Sequence, residues 1–307
     1  MPRRPARAFC MSVTPFHEDG SVDESALRVH LERLVQAGNA IMLTSPGAGE
    51  SQVMSVAEHR RVYDIGVEVV SGRVPLWAAV REWRDAKGVY EVAKQAQDAG
   101  MDAAQIYGLD PSRIQVPTQA ETESYFRELL DELDIPVSIS TSPVVPTPPS
   151  PALLERLCRD YPQIVHVNAM AASGDVFAAI RDAIPDRVEL GGQFNAHSHW
   201  LGLGATTITM AENNIIPETC QRMMEAFAAG DLIAGGRLSA AIHRFSVINR
   251  EWFPATARPT KMSLKVLGLG NGVMRPPYLL PPQEDFDRLS VSLRGLGIAE
   301  IDRLVAA

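Results

Sequence analysis

The sequence predicts a (β/α)8 barrel with a C-terminal helical extension. Three observations predict it. Eight short β-rich runs alternate with helical segments, the pattern of βα units on a parallel sheet. After Met210 the pattern changes to helices alone. No linker or low-complexity stretch divides the 307 residues, and neither GxGxxG nor GxxxxGK[ST] occurs to favour a dinucleotide-binding or P-loop sheet.

The predicted strands are Ala8–Val13, Ala40–Thr44, Leu76–Val80, Ala103–Tyr107, Val137–Thr141, Ile164–Asn168, Arg187–Gly191 and Thr206–Met210. Between them the helical segments are Asp23–Ala37, Ser55–Val70, Asp85–Ala99, Gln119–Leu133, Ser150–Arg159, Gly174–Ala183 and a short one near Ser198–Leu203. The first helix has a polar start at Asp23, apolar residues at helical spacing in LRVHLERLV and a stop at Gly38. Asp85 and Gly100 frame the third, where Val89, Val92, Ala93 and Ala96 share a face. The run SPVVPTPPS, Ser142–Ser150, cannot be helix or central strand, because its prolines lack donors and restrict the residues before them. Pro217–Ala228, Leu232–Asn249, Thr260–Leu267 and Gln283–Leu293 form the helical tail, so residues 1–216 are assigned to the barrel and 217–307 to an extension packed on it.

Composition narrows the function. With 46% hydrophobic and 21% charged residues the chain can bury a full core. A net charge of −8 gives no general attraction to nucleic acid or anionic membrane, so a small-molecule substrate or ligand is the expected partner. Cys10, Cys158 and Cys220 are far apart, without metal-like spacing, which fits a reducing cytoplasm better than a disulfide framework. The basic start MPRRPARAFCMSV lacks a signal-peptide apolar run, and no stretch is long enough for a membrane helix.

Six segments in order carry a family resemblance: Val13–Gly38 (VTPFHEDGSVDESALRVHLERLVQAG), Pro46–Val62 (PGAGESQVMSVAEHRRV), Ala93–Ala103 (AKQAQDAGMDA), Pro117–Leu129 (PTQAETESYFREL), Ser173–Asp175 (SGD) and Arg258–Pro281 (RPTKMSLKVLGLGNGVMRPPYLLP). Together they resemble the dihydrodipicolinate synthase and N-acetylneuraminate lyase family. The resemblance implies a (β/α)8 barrel with a three-helix extension and a homo-oligomer, tetramer or dimer. It also implies lyase chemistry through a Schiff base between a 2-oxo acid and a lysine at the end of the sixth strand.

The chain departs from that chemistry. The family stretch like IVGIK corresponds to IVHVN, Ile164–Asn168, which puts Asn168 at the lysine position; an ungapped count back from Ser173–Asp175 selects Met170 instead. Neither is an amine. The chain's lysines are Lys87, Lys94, Lys261 and Lys265, none on a predicted strand. The family's YNxP pattern appears as STSP, Ser140–Pro143, without the proton-relay tyrosine, and the carboxylate-binding arginine falls near Val145. Its GTTGE loop appears as PGAGE, which keeps Gly49 and Glu50 but puts Gly47 and Ala48 in place of the hydroxyl pair.

Residues at the C-terminal ends of barrel strands face a common mouth, which nominates Tyr107, Ser140, Thr141, Asn168, Gln193, Asn195, His197, His199 and Glu212, with Arg81 and Glu82 after the third strand. Arg81 suits a substrate carboxylate or phosphate, or a surface pair with Glu82. His197 and His199 face one cavity if the backbone there is extended, where a neutral imidazole serves as base; otherwise they bond within a loop. A metal would need a third ligand, such as Glu212 or His166, and the spacing does not establish one, so no metal or cofactor is assigned. Glu50 is read as organising its glycine-containing turn together with Gly49. The leading expectation is a divergent, lyase-like member of the family acting without a Schiff base on a small oxygenated, anionic substrate. A non-catalytic ligand-binding or regulatory barrel is the main alternative, and a metal-dependent lyase or hydrolase the third.

Overall fold

A computed structural model describes residues 7–80, 85–109, 115–142, 147–170, 173–251 and 256–306. Strands β1 (Arg7–Met11), β2 (Ala40–Leu43), β3 (Leu76–Val80), β4 (Ala103–Tyr107), β5 (Val137–Ser140), β6 (Ile164–Asn168), β7 (Glu189–Gly192) and β8 (Thr207–Met210) form a closed barrel in chain order. Between them run α1 (Glu24–Gln36), α2 (Val56–Val70), α3 (Ala86–Ala99), α4 (Gln119–Glu132), α5 (Pro151–Asp160), α6 (Gly174–Ala183) and α7 (His197–Gly202). Helix α8 (Pro217–Ala228) completes the alternation. Beyond it lie α9 (Leu232–Arg250), α10 (Ala257–Val266), α11 (Gln283–Arg294) and α12 (Ala299–Ala306). The predicted barrel with extra C-terminal helices is therefore the observed fold, while α12 goes beyond the predicted tail. It is an eight-residue helix, and Gly297, at φ +61°, separates it from α11.

The chain forms two compact units, Met1–Pro75 with Met210–Ala307, and Leu76–Thr209. In the first unit Asp23 caps α1 by accepting from Ala26 N, and Leu27, Leu31 and Leu34 recur on its buried face. Ser55 and Glu58 form a reciprocal capping box on α2. Asn214 ties this unit together. Its Oδ1 accepts from Val13 N at 3.0 Å and its Nδ2 donates to Met11 O at 2.8 Å. The same Oδ1 lies 2.9 Å from His30 Nε2, so the buried imidazole carries its proton there. Glu300 at the start of α12 accepts from the backbone N–H groups of Glu218 and Thr219, satisfying donors in the first turn of α8.

In the second unit α3 starts with Asp85 accepting from Gly88 N and ends on Gly100, at φ +85°. Thr118 and Glu121 box the start of α4. Phe126, Leu129, Leu153, Leu157, Phe177 and Ile180 fill the helical side of its core. Strand register sets β4, β5 and β6 side by side: Gln105 pairs with Ser138 and Ser138 with His166, while Tyr107 pairs with Ser140 and Ser140 with Asn168. Two polar rows are thereby stacked at the C-terminal ends of these strands. No helix among the described residues is long and apolar enough to cross a membrane.

Candidate active site

The polar rows of the second unit are joined by hydrogen bonds. Gln105 Nε2 donates to the Tyr107 hydroxyl at 2.9 Å, and Asn168 Nδ2 donates to Gln105 Oε1 at 2.9 Å. Ser138 Oγ lies 3.5 Å from Gln105 Oε1 and 2.8 Å from His166 Nδ1, and His166 Nε2 lies 2.9 Å from Thr207 Oγ1. All six residues are buried. Burial pushes the His166 pKa down to about 3, so its ring is neutral at physiological pH and the chain of groups carries no net charge. Gly191 makes this arrangement possible: a Cβ there would lie 2.9 Å from the His166 ring and 3.0 Å from Thr207 Oγ1. The edge of Trp77 closes against the same ring, with centroids 5.1 Å apart.

Asn168 is the last residue of β6 and is fully buried. Its Oδ1 has no hydrogen-bond partner among the described residues. Beside it, Thr141 donates its backbone N–H to Asn168 O at 2.9 Å, and Ser140 Oγ accepts from Ser142 N at 3.2 Å. The structure thus brings Tyr107, Ser140, Thr141 and Asn168 together, with Gln105, Ser138, His166 and Thr207 beneath them. Sequence reasoning missed Gln105, Ser138 and Thr207 and considered His166 only as a metal ligand. The available signal was the period of two: Gln105 and Tyr107, Ser138 and Ser140, and His166 and Asn168 each share a strand face.

The other nominees are more dispersed. Gly192 lets α7 approach closely, since a Cβ there would meet Trp200 Cβ at 2.6 Å. His197 and His199 both lie on α7, where a two-residue step turns roughly 200° about the axis. His197 is accordingly buried and His199 exposed, so the helix does not provide the shared face an extended backbone would. His199 packs edge-on against Trp200, with centroids 4.8 Å apart. Gln193 is half-buried; Asn195 is exposed and its carbonyl accepts from Trp200 Nε1 at 2.8 Å. Arg81, Glu82 and Val145 lie outside the described residues. No group of three His, Cys, Asp or Glu side chains suited to a metal ion occurs among the described residues.

The first unit contains a cluster of the opposite character. Gly49 is held by Thr14, whose hydroxyl donates to Gly49 O at 2.8 Å, and by Ser45 Oγ, which accepts from Gly49 N at 3.1 Å. Glu50 follows in a left-handed conformation, φ 54°, and its buried carboxylate is ion-paired with Lys261 of α10. Lys261 Nζ also donates to Val273 O at 2.9 Å and lies 4.3 Å from the Phe16 ring centroid. Burial pushes Glu50 up and Lys261 down, and their mutual attraction opposes both shifts. A cleft of about 280 Å³ beside the pair is lined by Pro46, Gly47, Glu50, Thr256, Met274 and Tyr278.

The model of the dihydrodipicolinate synthetase family matches residues 4–294. The chain belongs to this family. Among its relatives, a 4-hydroxy-tetrahydrodipicolinate synthase of Nitratidesulfovibrio vulgaris (strain DP4) is 30% identical over 296 residues, covering 95% of this chain and 98% of that protein. A protein of the same description from Rhodospirillum centenum is 29% identical over 293 residues, covering 93% and 96%. The crystal structure of dihydrodipicolinate synthase from Aquifex aeolicus superposes with a TM-score of 0.86 at 22% identity, covering 94% of this chain and 97% of that one, a likeness of fold. The sixth strand of this chain ends on Asn168.

Proposed function

We propose that this family member acts on a small oxygenated, anionic substrate without forming a Schiff base. The observation that carries the reading is the amide of Asn168 at the end of β6, together with the location of every lysine elsewhere. Lys87 and Lys94 belong to α3, Lys265 is exposed on α10, and Lys261 is paired with Glu50. An ammonium held by a buried carboxylate is a poor nucleophile, because attack needs the neutral amine. In this reading Asn168, Ser140 and Thr141 orient substrate oxygens, and His197 or His199 moves a proton in C–C or C–O lysis. Tyr107 completes the polar wall, Gln193 and Asn195 contribute from the loop after β7, and Arg81 meets the substrate's anionic group.

Incubation with pyruvate, borohydride reduction and intact-mass measurement test the proposal. No adduct is expected; a stoichiometric adduct on a lysine overturns it. A screen of hydroxy acids, 2-oxo acids and their aldehyde adducts, with and without divalent metal, then looks for turnover. Loss of a general acid–base group lowers the rate by about 10²–10⁴, so folded His197→Gln and His199→Gln variants that both keep full activity remove the histidines from the mechanism. A ligand-binding barrel without turnover is the second reading, favoured by the separation of His197 and His199 around α7. We further propose self-association into a dimer or tetramer, and a monomer by solution scattering at micromolar concentration would reject it.

A further inference from the structure

The carboxamide of Asn168 has a defined polarity. Its nitrogen donates to Gln105 Oε1 at 2.9 Å, and the Gln105 nitrogen in turn donates to the Tyr107 hydroxyl at 2.9 Å. An amide whose nitrogen faces an acceptor turns its oxygen away from it. Gln105 therefore determines which end of Asn168 is left over, and that end is Oδ1, buried and without a hydrogen-bond partner among the described residues. A buried acceptor without a donor is destabilising, and its complement is a hydrogen supplied from outside the network.

We infer that the end of β6 is an acceptor site for a substrate hydroxyl, with Gln105 as the positioning residue that sets its polarity and a 2-hydroxy acid as the matching chemical class. This rests on the non-Schiff-base reading above and names its substrate. A 2-oxo acid presents only acceptor oxygen at the corresponding carbon, so its carbonyl would meet Asn168 Oδ1 acceptor to acceptor. The linked groups, Tyr107, Gln105, Asn168, Ser138, His166 and Thr207, are all neutral, and none supplies the counter-charge that an ammonium in the same place would call for.

Calorimetric titration with matched pairs tests this: lactate and pyruvate, 2-hydroxybutyrate and 2-oxobutyrate, 2-hydroxyglutarate and 2-oxoglutarate. In at least one pair the hydroxy acid is expected to bind about tenfold tighter, the worth of one net hydrogen bond. Gln105→Glu retains an acceptor facing Asn168 Nδ2 and should keep the preference. Gln105→Leu frees the Asn168 amide to turn and should reduce the preference to less than about threefold, with folding checked by circular dichroism. Should Gln105→Leu fail to fold, the near-isosteric Asn168→Leu supplies the same readout, since it deletes the acceptor. Equal or tighter binding of the oxo acid in every pair, a preference that survives both leucine variants, or no binding by any pair overturns the inference. A borohydride-trapped adduct strikes instead at the non-covalent reading beneath it, and mass rather than heat detects it, so the two failures are distinct.

Discussion

The Glu50–Lys261 pair and the Gln105–Asn168 network are both buried and polar, but they solve opposite problems. In the first unit two charges leave water and neutralise one another, fastening the loop after β2 to α10. In the second, neutral groups on neighbouring strands satisfy one another in sequence, and one acceptor remains. A buried ion pair is intolerant of losing one member, whereas a neutral network can leave one acceptor unfilled at modest cost. The contrast is one of paired charge against neutral hydrogen bonding. The chain's buried lysine is occupied as a structural counter-ion, and its strand-end position carries an amide suited to orientation rather than covalent attack.

Removing one charge of the buried pair has the largest expected effect. Lys261→Met leaves the Glu50 carboxylate buried without its partner and should lower the unfolding free energy by about 3–5 kcal/mol. Urea denaturation followed by circular dichroism measures it. Glu50→Gln combined with Lys261→Met should recover most of the loss, because neither buried charge remains. A cost below about 1 kcal/mol for the single variant, the size of an exposed ion pair, would show that the pair is solvated in solution.

Acid should act on both units through histidine. Burial, reinforced by the charge of Arg33, lowers His30 to about 3, and burial lowers His166 to about 3. Between that value and the ordinary 6.5, the unfolded chain binds protons that the folded chain does not. Stability therefore rises with pH across this window, is complete above it and falls as the solution is acidified. At pH 5 each histidine should contribute a loss of about 2 kcal/mol relative to neutral pH. Folded His30→Gln and His166→Gln variants should each have a shallower pH profile in denaturant titrations between pH 7 and 5, even if they are less stable at pH 7. Profiles as steep as that of the unsubstituted chain would mean that these rings are not buried and neutral.

Much of the fold was legible in sequence because caps and apolar periodicity act locally. Asp23, Ser55 and Asp85, which begin predicted helices, are the observed caps of α1, α2 and α3. The candidate site was legible only in part. Strand-end position singled out Tyr107, Ser140, Thr141 and Asn168, but the bonds that orient them depend on register between strands, which periodicity within one strand does not carry. Gln105 and Asn168 are separated by 63 residues. Likewise nothing local to PGAGE or RPTKMSLKV announces that Glu50 meets Lys261. The two histidines after β7 turned on a single local choice, helix over extended chain.

The smallest expected effect concerns the two glycines of the loop that bears Glu50. A Cβ on Gly49 would lie 2.6 Å from Ser45 N and 2.9 Å from Ser45 O, both backbone atoms with little room to yield. A Cβ on Gly47 would meet only Thr256, with Oγ1 at 3.5 Å, an ordinary contact. Neither glycine has the positive φ that would exclude alanine by conformation alone. Gly49→Ala should therefore cost about 1–3 kcal/mol through forced displacement of the loop. Gly47→Ala should fall within about 0.5 kcal/mol of the unsubstituted chain, since reduced freedom of the unfolded state offsets slight crowding. Thermal and urea unfolding of the two variants side by side measure the contrast. If Gly47→Ala is as damaging as Gly49→Ala, position 47 also meets a steric demand of this loop. If the contrast holds, steric exclusion of a first side-chain carbon does not account for the glycine at position 47.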